Sequence, residues 1–126
     1  MIRIQALDHV VLTVADVEAT AAFYASLGME RVTFEGGRRA LAFGDQKINL
    51  HAAGAEVKPN AAQATPGSAD FCLLIEGPLD AVIDELAVLG VPVELGPVDR
   101  TGARGRIRSV YFRDPDGNLV ELAEPL

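Results

Sequence analysis

The two halves of the chain repeat one order of sequence elements, and this repetition constrains the fold more than any other feature. Each half begins with an apolar stretch of strand type, continues through a helical run to a Leu-Gly pair, and ends in a hairpin. Aligned by this order, the halves pair His9 with Asp70 and His51 with Glu121. Possible metal ligands therefore stand at two points of each predicted copy.

Apolar periodicity and turn residues predict the order β-α-β-β-β in both halves. The first strand, near residues 9–14, is apolar on both faces and is therefore predicted to be buried on both sides. Gly36-Gly37 and Gly44-Asp45 mark two tight turns that separate three further strands near residues 29–35, 38–43 and 47–52. In the second half, Pro92, Gly96 and Pro97 are predicted to bracket a strand, and the Asp-Pro-Asp-Gly sequence at 114–117 predicts a tight turn.

The predicted fold class is α+β, with two βαβββ modules in one domain of 126 residues. The first module is expected at about residues 5–52 and the second at about 70–124. Residues 53–69 combine glycine and proline with alanine and show neither strand nor helix periodicity, so they are predicted to be a linker. A chain of this length buries roughly two-thirds of the surface that its unfolded form exposes, so no cross-links are needed.

Charge and cysteine content exclude several classes of partner. The formal net charge of -7 argues against nucleic acid or an anionic membrane surface as the main partner, while a local basic patch can still bind a small anion. The single cysteine, Cys72, cannot form an internal disulfide, which indicates a reducing cytoplasm. The sequence shows neither the apolar stretch of a signal peptide nor a segment of membrane-spanning length.

Ionisable residues occupy faces that are otherwise apolar. Alternation places Asn49 and His51 on one face of their strand, and Leu119 and Glu121 together on theirs. Because an unpaired buried imidazole or carboxylate costs several kcal/mol, such groups are expected to share a proton, a hydrogen bond or a metal ion. Two imidazoles and one carboxylate suit Ni, Zn, Mn, Co or Fe as a divalent ion, and metal binding is the sharper hypothesis.

Two stretches give the chain a family resemblance. Residues 43–51 read Phe-Gly-Asp-Gln-Lys-Ile-Asn-Leu-His, and residues 111–121 read Tyr-Phe-Arg-Asp-Pro-Asp-Gly-Asn-Leu-Val-Glu. With His9 on the first strand, this pattern resembles the vicinal oxygen chelate superfamily of glyoxalase I, fosfomycin-resistance proteins, extradiol dioxygenases and bleomycin-resistance proteins. It is most similar to small glyoxalase-domain proteins. The resemblance implies modules that curve around a divalent metal facing a small substrate and that are often exchanged across a homodimer.

The resemblance also implies particular site residues. His9, His51 and Glu121 are the expected metal ligands. Asp70 stands where relatives commonly have histidine, so it is a possible fourth ligand, a residue that orients a ligand, or a strand cap. Tyr111 matches a substrate-contacting tyrosine of fosfomycin-resistance relatives and is equally well explained as a strand aromatic. Cys72 is interpreted as a small buried apolar residue.

Positive charge is concentrated near the predicted substrate end. Residues 100–113 hold five arginines in an acidic chain, and arginine binds carboxylate or phosphonate through paired hydrogen bonds. Arg104 and Arg106 are the predicted anion clamp. The alternative is that these charges protect an exposed edge strand, which explains most of the arginines equally well.

These predictions lead to a functional hypothesis. The protein is expected to be a metal-dependent glyoxalase-like lyase or isomerase that acts on a small oxygenated compound, either a carbonyl compound or an anion. The resemblance implies that the metal stabilises two neighbouring substrate oxygens while Glu121 moves a proton, as ligand or as displaced base. Three alternatives stay open. They are an Fe(II)-dependent extradiol-type dioxygenase, a fosfomycin-type thiol transferase, which Asp70 weakens, and a non-catalytic protein that sequesters a ligand as bleomycin-resistance relatives do.

Overall fold

The computed structural model describes all of residues 1–126 as two compact units, Met1–Pro66 and Gly67–Leu126. The boundary between the units lies inside the predicted linker. The first unit contains β1 (His9–Val14), α1 (Val17–Ser26), β2 (Glu30–Phe34), β3 (Arg38–Phe43) and β4 (Gln46–Ala52). The second contains β5 (Asp70–Leu74), α2 (Leu79–Val88), β6 (Leu95–Thr101), β7 (Arg106–Arg113) and β8 (Leu119–Pro125). The predicted α+β class and the repeated β-α-β-β-β order are confirmed.

Each unit builds one four-stranded mixed sheet with the same topology. The strand orders are β1-β4-β3-β2 and β5-β8-β7-β6. The first strand of each unit pairs in parallel with the last, and the remaining pairs are antiparallel. A parallel pair requires a crossover, which the helix after the first strand supplies. Neither helix is long and apolar enough to cross a membrane.

The core of the first unit forms between α1 and its sheet. Asp16 caps the helix by accepting a hydrogen bond from the backbone N–H of Ala19 at 3.0 Å. Tyr24 on α1, Leu41 on β3 and Ile48 on β4 are each almost completely buried. Burying such side chains stabilises the unit by roughly 1.5–3 kcal/mol each, so the helix is held by packing more than by its intrinsic propensity.

The prediction that the first strand is buried on both sides is wrong. β1 lies at the edge of its sheet, and Val10 and Val11 are each 44% exposed, whereas Leu12 and Val14 are buried. An apolar run shows that both faces of a strand carry apolar side chains. It does not show whether other parts of the protein pack on both faces. The first half of the strand therefore presents apolar surface and unpaired backbone groups.

The core of the second unit forms between α2 and β7. Leu79 and Leu86 on the helix, and Val110 and Phe112 on the strand, are almost completely buried. The backbone N–H of Leu79 at the start of α2 donates to the Glu124 carboxylate at 3.0 Å, so a distant side chain satisfies the helix end.

One strand boundary in the second unit differs from the prediction. Gly96 and Pro97 do not close a strand but lie within β6, where the register with β7 shifts between Leu95 and Val98. A Cβ on Gly96 would stand 2.5 Å from the Ser109 backbone oxygen, so this position brings two backbones close together. Glycine inside a strand commonly marks such an approach.

The turn between β7 and β8 is organised by one buried carboxylate. Asp114 Oδ1 accepts from the backbone N–H groups of Asp116 at 2.9 Å and Asn118 at 3.0 Å, and its Oδ2 accepts from Asn118 Nδ2 at 2.8 Å. Asn118 Oδ1 in turn accepts from the backbone N–H of Ala69 at 2.8 Å, and Leu119 N donates to the Ala69 oxygen at 3.1 Å. The turn thus fixes the entry of β5 beside β8.

Gly67 packs directly on this turn, which allows a matched test of the packing. A Cβ on Gly67 would stand 2.5 Å from the Asp116 backbone oxygen, whereas a Cβ on Gly54 would meet nothing within 4 Å. The two glycines have nearly equal φ angles, +83° and +84°. Gly67→Ala and Gly54→Ala therefore share a backbone strain of roughly 1–2 kcal/mol, and only Gly67→Ala adds a clash.

We expect Gly67→Ala to lower the free energy of unfolding by roughly 1–3 kcal/mol more than Gly54→Ala, because the turn must shift to admit the methyl group. Urea denaturation of both variants and of the wild type measures the difference. Equal losses in the two variants would show that the turn accommodates the methyl group and does not fix the entry of β5.

Candidate functional site

A cavity of about 720 Å³ lies in the second unit and gathers most of the predicted site residues of that unit. Its wall includes Glu121 on β8, Tyr111 on β7 and Cys72 on β5, together with arginines from β6, β7 and the turn between them. Tyr111 alternates along β7 with the buried Val110 and Phe112, so the cavity lies on the opposite face of the strand from these core side chains. The volume falls within the range of small-molecule sites.

Glu121 and Cys72 are direct neighbours across the β5–β8 ladder. Cys72 is exposed, so its interpretation as a buried apolar residue is wrong. Partial burial, and then the charge of Glu121 and a hydrogen bond to it, raise the pKa of the Cys72 thiol to about 11. The thiol is therefore protonated at neutral pH and can donate to the carboxylate.

Tyr111 connects Glu121 to an arginine of β6. Tyr111 pairs with Glu121 in the β7–β8 ladder, and its hydroxyl oxygen accepts from Arg100 Nε at 3.0 Å. The Arg100 guanidinium also lies 5.6 Å from the centre of the tyrosine ring. The sequence places Arg100 in the arginine cluster but does not distinguish it from the other arginines. Its contact with Tyr111 depends on the register between β6 and β7.

The two arginines of the predicted anion clamp lie in the cavity wall in different environments. Arg104 lies in the turn from residue 102 to 105 and has neither an ion pair nor a hydrogen bond. Arg106 is paired with Asp99, with Nη2 2.7 Å from Oδ2. The charge of Arg106 is therefore already balanced at the surface, and the positive charge open to the cavity comes from Arg104 and Arg100.

Asp70 is exposed at the start of β5, opposite Leu119. Arg113 forms two hydrogen bonds of 3.0 Å with the Glu94 carboxylate. These bonds lower the pKa of Glu94 and raise the pKa of Arg113, and the charge of Asp70 adds a smaller contribution to the second shift. Asp70 thus lies in the field of a cation. Its role as a ligand, as a residue that orients a ligand or as a strand cap stays a prediction.

In the first unit, the two histidines have different environments. His9 is exposed, and its Nδ1 lies 2.8 Å from Asp8 Oδ1, which leaves Nε2 open. His51 is only 8% exposed, and neither of its ring nitrogens has a hydrogen-bond partner. The buried Oδ1 of Asn49, on the same face of β4, has no partner either. Buried polar atoms without partners are uncommon and mark a place where a ligand or water would be stabilised.

The ladder between β1 and β4 separates the two histidines. His9 pairs with Lys47, and His51 pairs with Thr13, so four residues or roughly 13 Å of strand lie between them. Side chains that stand perpendicular to a sheet do not bridge this distance to one ion. Within either unit, no group of three or more His, Cys, Asp and Glu side chains is arranged to hold a metal ion.

The same ladders correct the alignment of the repeat. In the second unit Asp70 pairs with Leu119, and Glu121 stands two residues further along β8. In the first unit His9 pairs with Lys47, and two residues further along β4 is Asn49. Asn49 is therefore the counterpart of Glu121, and the counterpart of His51 is Ala123. The pairing of His51 with Glu121 predicted from the sequence is wrong by two residues.

Comparison with known proteins identifies the family. The model of the Glyoxalase/Bleomycin resistance protein/Dioxygenase superfamily matches residues 6–122. The chain belongs to this superfamily. Its members typically use a divalent metal ion.

The chain is also similar to three individual proteins. Virulence protein STM3117 of Salmonella typhimurium is 49% identical over 96% of this chain and 85% of its own length. An integron cassette protein from V. cholerae is 49% identical, with a TM-score of 0.97 over 100% of this chain and 99% of the other. Lactoylglutathione lyase from Agrobacterium tumefaciens is 28% identical, with a TM-score of 0.73 over 97% and 95% of the two chains.

The contact between Cys72 and Glu121 leads to a prediction for thiol reactivity. Because thiolate is the reacting form, we expect the alkylation rate of Cys72 by iodoacetamide to rise with pH to a midpoint near 11 in chelator-treated protein. Glu121→Gln removes the negative charge but not the burial, so the midpoint should fall part of the way towards 9.0, the ordinary thiol value. Mass spectrometry of timed samples measures the rate, and an unchanged midpoint in the variant would show that the two side chains do not interact.

Proposed function

We propose that this protein is a metal-dependent lyase or isomerase of glyoxalase type, acting on a small carbonyl compound in the cavity of the second unit. The observation that carries the proposal is the Glu121 carboxylate in the cavity wall, beside the protonated Cys72 thiol and the Tyr111 side chain. The similarity to a lactoylglutathione lyase supports the reaction class. Substrate and metal identity are parts of the proposal.

The donor chemistry of the chain fits a divalent ion. His9 has its Nδ1 beside a carboxylate and its Nε2 open, which is the usual arrangement of a metal-binding imidazole. Glu121 offers a carboxylate, and Asn49, its counterpart in the first unit, has a buried amide oxygen without a partner. We therefore propose His9 and Asn49 as the donors of the first unit and Glu121 as the donor of the second, with Asp70 as a further oxygen donor. Such a set suits Mn, Fe, Co, Ni or Zn.

The residues of the cavity would have different roles in the reaction. A divalent ion bound by Glu121 would act as a Lewis acid towards two neighbouring oxygens of the substrate. The Glu121 carboxylate would accept a proton from the carbon beside the substrate carbonyl and return it to the neighbouring position. The Cys72 thiol, by donating to this carboxylate, would orient it. Tyr111, paired with Glu121 in the ladder, would hold Arg100 through its hydroxyl.

The metal assignment predicts which variants lose the ion. We expect the protein purified without added metal to carry about one divalent ion per chain and to melt at a lower temperature after chelation, because the ion binds only the folded state. His9→Ala and Glu121→Ala should lose the ion. His51→Ala should retain it, because the ladder separates His51 from His9. Elemental analysis and thermal melting measure both effects.

Glu76→Gln is the matched control, since Glu76 is an exposed carboxylate outside the cavity. It should bind the ion like the wild type. Full metal content in Glu121→Ala would remove the metal site from the proposal. Loss of the ion in His51→Ala, with normal content in Asn49→Ala, would instead restore the ligand set predicted from the sequence.

The requirements for metal, oxygen and thiol distinguish the reaction classes. A dioxygenase would require Fe(II) and consume oxygen, and a thiol transferase would require an added thiol. A sequestering protein would bind its ligand without turnover and without need of the ion. We propose lyase or isomerase chemistry because the cavity contains a carboxylate beside an oriented thiol, which suits proton transfer. Assays of small 2-oxo aldehydes, with and without added thiol, decide among these outcomes.

We further propose that two copies of the chain associate through their edge strands. β1 lies at the edge of its sheet with Val10 and Val11 exposed, and Ile2, Ile4 and Leu7, which precede the strand, are exposed as well. An edge strand with apolar side chains and unpaired backbone groups is a surface for pairing with another chain. A symmetric homodimer would cover this surface on both copies of the chain.

The dimer proposal has a closely matched pair of variants. Val10 and Val57 are exposed to nearly the same extent, 44% and 42%, but only Val10 lies on the edge strand. We expect the wild type and Val57→Lys to sediment as dimers at micromolar concentration and Val10→Lys to shift towards monomer, because a buried charge opposes association. A wild-type monomer, or equal sedimentation of the two variants, contradicts the proposal.

A further inference from the structure

The cavity of the second unit contains two arginines that form no ion pair. The chain has 18 acidic and only 11 basic residues, so acidic partners are plentiful. Arg100 and Arg104 nevertheless line the cavity without an acidic partner. The remaining arginines of the segment are all paired, namely Arg106 with Asp99, Arg108 with Asp80 and Arg113 with Glu94. Two open cations in one cavity of an acidic chain indicate an anionic ligand.

Arg100 is held in place and still has donors to offer. Its Nε donates to the Tyr111 hydroxyl, and its Nη1 donates to the backbone oxygen of Asp99 at 3.3 Å. Two of the five N–H donors of the guanidinium are thus used, which leaves three on its terminal nitrogens. Contact with the tyrosine ring restrains the plane of the group. The restraint lowers the entropy that a ligand would lose on binding.

Arg104 supplies the second cation from a short turn. The N–H of Gly102 donates to the Gly105 oxygen at 2.7 Å, which closes the turn, and Arg104 lies between them. Gly105 has a φ of +142°, which a residue with a side chain rarely adopts, so the turn depends on glycine at this position. The Arg104 side chain has no internal partner and is free to close on a ligand.

The rest of the wall restricts the ligand further. Leu74, Ile107 and Pro125 add apolar surface to the cavity, and Glu121 adds one negative charge to its wall. An anionic group therefore binds favourably beside the arginines, and an uncharged oxygenated group beside Glu121. A planar carboxylate matches the paired terminal donors of a restrained guanidinium.

We propose that the cavity binds a small carboxylic acid whose carboxylate contacts Arg100 and Arg104 and whose uncharged oxygenated end faces Glu121. This inference deepens the proposed function and rests on it for the role of Glu121 alone. Arg100 replaces Arg106 in the clamp predicted from the sequence, because Asp99 already neutralises Arg106. Tyr111 is a positioning residue that acts through Arg100.

The test is a calorimetric titration of the protein, as purified, with lactate, pyruvate and glycolate. Lactamide and glycolamide are the neutral controls of the same shape. We expect the acids to bind and the amides not to bind. Arg100→Gln and Arg104→Gln should each weaken acid binding by roughly tenfold or more, because a charge-assisted pair of hydrogen bonds is lost. Tyr111→Phe should weaken it by a smaller factor.

Arg106→Gln is the matched control, since it removes an arginine of the same wall whose charge is already paired. It should bind the acids like the wild type. Arg100→Lys keeps the positive charge but loses the paired N–H donors of the guanidinium, so an intermediate affinity for the acids is expected. Thermal melting of every variant confirms that it is folded. Failure of all three acids to bind, or equal weakening in Arg106→Gln and Arg100→Gln, overturns the inference.

Two further outcomes keep the inference separate from the proposed function. Glu121→Gln should lose the metal and the reaction but keep acid binding through the arginines. A wild type that carries metal and binds none of the acids would overturn the inference and leave the proposed function intact. Inorganic phosphate is titrated as well, and tighter binding of phosphate than of every acid would overturn the carboxylate assignment.

Discussion

The Asp114 carboxylate is the group on which the geometry of the second unit depends. It accepts three hydrogen bonds inside the turn, and Asn118, which it orients, accepts from Ala69 at the entry of β5. Because the carboxylate is 5% exposed, these bonds form where water does not compete well, and their loss would leave a buried charge unsatisfied. One side chain therefore sets β5 and β8 in register, and that register determines which side chains face each other across the cavity.

The turn and the strand that follows it therefore have different roles. The Asp-Pro-Asp-Gly-Asn sequence is part of the family resemblance, yet its Asp114 and Asn118 side chains are occupied in holding the turn. The residues that can act on a ligand stand further along, where alternation returns Glu121 to the cavity face beside Cys72 and Tyr111. A sequence signature can thus identify a family partly through residues that hold a turn, while other residues of the same stretch can act on a ligand.

Much of this architecture could be predicted from the sequence, and the failures have a common physical cause. Periodicity and turn chemistry predict the strands, the helices and the repeat, because these depend on residues close together in the chain. Asn49 and His51 lie on the same face of β4, so alternation alone does not distinguish them, and only the ladder shows that Asn49 is the counterpart of Glu121. The same limit applies to the arginines, since the partner of Arg106 and the contact between Arg100 and Tyr111 depend on the pairing of β6 with β7.

Tyr111 gives the cavity its polarity. Its backbone pairs with Glu121 in the β7–β8 ladder, and its hydroxyl accepts a hydrogen bond from Arg100, so one side chain relates the position of the Glu121 carboxylate to that of an arginine without an acidic partner. A field of this kind orients a ligand before any specific contact with the reacting atoms forms, because a carboxylate is attracted at one end and repelled at the other. A small acid would therefore enter in one direction, with its uncharged oxygens towards Glu121. The same polarity would serve proton transfer and sequestration equally well, so turnover depends on what Glu121 can do to the oriented ligand and not on binding alone.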